Sequence, residues 1–111
     1  KILFSMSVKL SNSLEPLKKR VNYETITKII NNNPDSYLKF VINEDFLTQA
    51  NKEINTILEN IPKCSVYLMP MGDDAKTVEK NSLSVINMAI ENGFNYSDRL
   101  HIRVWDNKRG V

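Results

Sequence analysis

The sequence predicts an α/β fold, a parallel sheet of βαβαβαβ order with helices packed on it. Three observations predict it. Four short apolar runs rich in β-branched and aromatic residues alternate with three stretches of helical apolar spacing. The connections between them are short, which for successive parallel strands demands right-handed crossovers. A chain of 111 residues that is 41% hydrophobic supports one modest core, so residues 1–111 are read as a single unit.

The first strand is read at Ile2 to Val8, an apolar run without a turn signal that suits a strand buried on both faces. After a polar loop and Pro16, Asn22 is placed to cap a helix whose apolar members are Ile26, Ile29 and Ile30. The run Asn31-Asn32-Asn33-Pro34-Asp35 ends it. Tyr37 to Ile42 forms the second strand. A helix follows directly, with Phe46, Leu47, Ala50, Ile54, Ile57, Leu58 and Ile61 on one stripe and Lys52, Glu53, Asn55 and Glu59 opposite. Pro62 stops it.

Ser65 to Met69 is the third strand, broken by Pro70 and Gly72. A helix is expected from about Thr77 to Asn92, apolar at Val78, Val85, Ile86, Ala89 and Ile90. Gly93 suits the left-handed residue after its end, and Phe94 the hydrophobic contact that accompanies such a cap. Leu100, Ile102, Val104 and Trp105 suggest a fourth strand, whose alternation also fits an edge strand or an antiparallel closure.

Charge and composition exclude several classes. With 25% charged residues and a formal net charge of +2, there is no strong field to gather nucleic acid or coat an anionic membrane. The single cysteine, Cys64, completes neither a disulfide nor a C-x-x-C pair, and a reducing cytoplasm is expected. No apolar run approaches the roughly 20 residues of a membrane span. The three glycines, Gly72, Gly93 and Gly110, build no phosphate-binding loop. His101 is the sole histidine, which excludes a histidine cluster or a His-Cys nucleophile pair. The chain opens on Lys1 inside an apolar run, which suggests a piece of something longer.

In sheets of this kind ligands gather at the C-terminal strand ends, so three places carry the candidate chemistry. Ser5, Ser7 and Lys9 alternate along the end of the first strand. Hydroxyls and an ammonium on one side suit a carboxylate or a ribose, although on spacing alone a polar strand end whose serines bond to nearby backbone is the commoner arrangement. Leu68-Met69-Pro70-Met71-Gly72 sets two pliable thioethers beside a free backbone, a loop able to mould around an adenine or a sulfonium, or simply core filling. Asp73 and Asp74 are too few for a cation site and are better explained by a helix N-terminus. At the chain end, His101 lies among Arg99, Arg103 and Arg109, either solvated charge or a grip for a substrate carboxylate.

At these three places the sequence resembles the 7-carboxy-7-deazaguanine synthases, radical S-adenosylmethionine enzymes of queuosine and 7-deazapurine biosynthesis. The family's Ser-Pro-Lys strand end is similar to Ser7-Val8-Lys9, with Val8 where many relatives have proline. Its Leu-(Gln or Met)-Pro segment is similar to Leu68-Met69-Pro70-Met71-Gly72. Its closing stretch is similar to Gly93-Phe94, Arg99-Leu100-His101-Ile102-Arg103-Val104-Trp105 and Lys108-Arg109-Gly110-Val111, the most specific part.

The resemblance implies the C-terminal half of a partial TIM-like radical-SAM barrel. It implies S-adenosylmethionine contacts at Ser7, Val8, Lys9, Met69, Pro70, Met71 and Gly72. The Val111 carboxylate would approach the substrate, 6-carboxy-5,6,7,8-tetrahydropterin, and His101 is a further substrate-side candidate. The C-x-x-x-C-x-x-C thiolates of a [4Fe-4S] cluster are absent here, so cluster and magnesium are assigned to the missing half and the fragment is expected to be inactive alone. An exposed sheet edge and inner face predict self-association, with a homo-oligomer expected for the intact enzyme. The competing reading is a stand-alone α/β binding or interaction module.

Overall fold

A computed structural model describes residues 4–13 and 21–97. It is an α/β fold with a four-stranded parallel sheet in the order β1-β2-β3-β4. The elements are β1 (Ser5–Ser7), α1 (Tyr23–Asn32), β2 (Tyr37–Ile42), α2 (Leu47–Glu59), β3 (Ser65–Pro70), α3 (Ala75–Asn92) and β4 (Asn95–Tyr96). Short 3₁₀ turns at Ser11–Ser13 and Glu44–Phe46 follow β1 and β2.

Each helix is set by local chemistry. The Asn22 side chain accepts the Thr25 amide at 3.1 Å and starts α1, whose buried Ile26 and Ile30 lie one turn apart. Ala50, Ile54 and Ile57 form the buried stripe of α2. Asp74 caps α3 by accepting the Thr77 amide at 2.8 Å, so this helix begins at Ala75, two residues before the expected start. Gly93, at φ 70°, closes it. Its amide reaches Ile90 O at 3.3 Å and the Phe94 amide reaches Ala89 O at 2.8 Å, while the Phe94 ring packs on the core.

The sheet has two unlike faces. Leu38, Phe40 and Ile42 of β2 and Val66, Leu68 and Pro70 of β3 are buried, together with the inner residues of all three helices. The alternate positions are different: Tyr37, Lys39, Val41, Tyr67 and Met69 are half-buried, and Ser5 and Ser7 exposed. Among the described residues the helices therefore cover one face only, as sequential strand order with one-handed crossovers requires. On the open face the Tyr37 and Tyr67 rings meet at 4.5 Å between centroids, tilted by 50°.

Three expectations need correction, and one short strand is added to those expected. The first strand is not buried on both faces, because Ser5 and Ser7 lie on the face that the helices leave uncovered among the described residues and are exposed there. The third strand runs one residue further, through Pro70, whose missing N–H is no loss because the Met71 amide takes up the pairing with Ile42 O at 2.8 Å. Ile90 does not join the core; it is 73% exposed, because the buried face of α3 runs through Val78, Asn81, Ser82, Val85, Met88 and Ala89. Asn95–Tyr96 pairs with β3 ahead of the expected fourth strand, which itself lies outside the described residues.

Candidate functional site

A cavity of about 260 Å³ opens at the C-terminal ends of β1 and β2. Ser7, Val8 and Lys9 line it from the end of β1, Lys39 and Val41 from β2, and Met71 from just beyond β3. Leu10 and Asn12 complete its lining. The chain reaches this shape because the Val8 amide donates to Lys39 O at 3.2 Å, extending the β1 pairing past the strand.

The loops around the cavity are fastened by side chains rather than by further sheet. Asn12 donates its amide to Val41 O at 3.3 Å and to Asn43 Oδ1 at 3.2 Å, tying the first loop to the end of β2. The Ser11 amide and hydroxyl both donate to the Glu53 carboxylate on α2. Asn81, 4% exposed on α3, accepts the Glu44 amide at 2.8 Å and donates to Met71 O at 2.7 Å. One buried amide thus fixes the loop after β2 to the loop after β3. Lys80 of α3 and Glu44 of the turn after β2 add a salt bridge of 3.6 Å.

The residues singled out in the sequence distribute unevenly. Ser7, Val8, Lys9 and Met71 come together on the cavity. Met69 lies half-buried on the open face, in register with Val41. Pro70 turns to the helix side, in register with Ile42, and is fully buried. Gly72 is buried against α3, where an added Cβ would stand 2.8 Å from Val78 N and 2.9 Å from Val78 Cγ2. Its role in this structure is close packing. His101, Val111, Arg99, Arg103 and Arg109 lie outside the described residues.

Asp74 serves as the helix cap, and hydrogen bonds from the Thr77 amide and hydroxyl hold its carboxyl below the usual carboxylate range. Asp73 is exposed beside it, and among the described residues no three His, Cys, Asp or Glu side chains gather as a metal site. Cys64 stands just before β3, at the end of the sheet opposite the cavity, and burial pushes its thiol up. A lone thiol there does not fit an iron–sulfur cluster.

Sequence reasoning missed Lys39 and Asn81. Lys39 was hidden inside a strand of otherwise β-forming residues. Asn81 carried a usable signal: with Ser82 it falls on the same turn spacing as Val78 and Val85, a polar group on the apolar stripe of its helix.

Over 78 residues, 69% of this chain, the sequence is 31% identical to a 7-carboxy-7-deazaguanine synthase of Pyrobaculum aerophilum, 34% of which is covered. The chain is similar to 7-carboxy-7-deazaguanine synthases. A second protein of that name, from Rhodopirellula baltica, is 28% identical over 95 residues, covering 85% of this chain and 36% of the relative. The chain spans about a third of the length of these curated synthases. No family model and no solved structure matches it. Among the described residues no helix is long and apolar enough to cross a membrane.

Proposed function

We propose that this chain is the C-terminal portion of a 7-carboxy-7-deazaguanine synthase, contributing cofactor contacts at its strand ends and a closing segment toward the pterin substrate. The observation that carries the reading is the cavity at the ends of β1 and β2. The consecutive Ser7, Val8 and Lys9 and the sequence-distant Met71, all assigned to S-adenosylmethionine by resemblance, line the same space.

Each of these residues has a task its chemistry suits. Val8 and Met71 offer apolar contact to an adenosyl group, and the Met71 thioether adapts to its edge. The Ser7 hydroxyl donates to or accepts from a ribose, and the Lys9 ammonium attracts an anionic group. Asn81 acts through Met71, whose carbonyl it holds. Val111 and His101 are proposed for the substrate side.

The intact synthase is a lyase of the queuosine and 7-deazapurine pathway, converting 6-carboxy-5,6,7,8-tetrahydropterin to 7-carboxy-7-deazaguanine with loss of ammonia. The thiolates for its [4Fe-4S] cluster, and its magnesium site, belong to the remainder of the protein, because the single Cys64 supplies neither. This portion alone is accordingly silent in turnover, works in the cytoplasm, and belongs to a homo-oligomer when intact.

Calorimetric titration with S-adenosylmethionine tests the reading. Saturable binding that weakens in Lys9→Ala and Met71→Ser supports it. An absence of binding, or binding indifferent to both substitutions, overturns it.

A further inference from the structure

We infer that Lys39 holds a carboxylate of the ligand in this cavity. Strand register puts Ser7, Lys39, Tyr67 and Asn95 in one row across all four strands of the open face. Lys39 stands second in that row, half-buried, and forms part of the cavity lining. It makes no salt bridge with any of the described residues, whereas Lys28 and Lys80 pair with Glu24 and Glu44.

The surroundings define what the lysine waits for. Val8, Leu10, Val41 and Met71 make the cavity walls largely apolar, and among the described residues no carboxylate lines it. A half-buried ammonium among apolar walls is favoured by an anion that brings its own apolar body. A fixed position on a paired strand also keeps the cation from following the ligand out, unlike a lysine on a loop. The ligand class is an amphipathic carboxylate, its ring or chain against Val41 and Met71 and its charge on Lys39 Nζ. The Ser7 hydroxyl, adjacent in the row, is placed to share that carboxylate.

This rests on the cavity being a ligand site, and both ligands of the proposed function carry a carboxylate. The experiment separates the possibilities with a probe that belongs to neither. Lysines of the protein are reductively ¹³C-methylated, which keeps their charge, and the Lys39 resonance is assigned with Lys39→Arg. Benzoate is then titrated against its neutral counterpart benzamide. A saturable benzoate shift at Lys39, absent with benzamide and absent at exposed Lys52 and Lys63, is expected; equal shifts at all lysines overturn the inference.

Two further arms identify the source of the carboxylate. S-adenosylmethionine is compared with its decarboxylated form, and pterin-6-carboxylate with pterin. Lys39→Met is expected to weaken the carboxylate member of one pair about tenfold, the loss of one charge-assisted contact, and to spare the other member. Benzoate held by Lys39 with neither pair bound keeps the anion site and removes the synthase reading. Tight S-adenosylmethionine binding, unchanged in Lys39→Met and with Lys39 blind to benzoate, keeps the synthase reading and removes the anion site. Silence in every arm removes both.

Discussion

Replacing Asn81 by leucine keeps roughly the side-chain volume while deleting both hydrogen bonds of the clamp between the loops after β2 and β3. The Glu44 amide and the Met71 carbonyl then lose their partners at 2.8 and 2.7 Å in a place that is 4% exposed at Asn81. An unsatisfied buried backbone group costs about 1–3 kcal/mol, and the relief of no longer burying the asparagine amide returns part of it. The net destabilisation expected is about 2–4 kcal/mol. Urea unfolding followed by far-UV circular dichroism measures it, with the slope m unchanged if the fold is retained. Asn81→Asp distinguishes the two bonds, because it keeps the acceptor for Glu44 but sets an oxygen against Met71 O. It is expected to destabilise as well, and more at neutral pH than in acid. A loss below about 0.5 kcal/mol for Asn81→Leu, typical of a surface position, would refute the clamp.

Gly72→Ala forces a Cβ to within 2.9 Å of Val78, so α3 must shift; about 1–3 kcal/mol of stability should disappear in the same urea assay. Because hydrogen bonds from Thr77 lower the Asp74 pKa in the folded state, its stabilising effect is present above the unfolded value and fades as pH falls through the folded one. Asp74→Asn keeps a cap oxygen but removes that titration, so its stability curve should be flatter in acid; a parallel curve contradicts the cap. The open sheet face and, separately, Leu83 and Ile90 exposed on the solvent side of α3 predict self-association of the 111-residue chain in sedimentation at high concentration, and a sharply monomeric mass would count against it.

The elements were legible where the sequence carries its own punctuation. Tyr37–Ile42 matches the expected strand at both ends, because Pro34-Asp35 precedes it and Asn43 follows. Asn22 and Gly93 fix helix ends by chemistry that needs no tertiary partner. The parts that were not legible depend on neighbours. Ser5–Ser7 reads like an interior strand, and its edge position follows only from strand order. Asn95–Tyr96 has too little apolar content to announce a strand and is recruited by pairing with Tyr67 and Leu68. In the site, the Ser7-Val8-Lys9 strand end was visible from its place in the topology. Lys39 was not, because its meaning comes from the row formed by register with Ser7 and Tyr67.

Strand order has a consequence for how the molecule is made. Among the described residues each strand after the first pairs with the one that immediately precedes it in the chain, and none wedges between two already joined. A sheet of this kind lengthens from one side as synthesis proceeds, every new βα unit docking on the edge its predecessor has just exposed. Loop closure is then confined to one crossover at a time, the cheapest route to parallel pairing. At each stage the newest edge is also the one most open to a stray chain, so the order that simplifies assembly concentrates the hazard of mispairing at a single moving front.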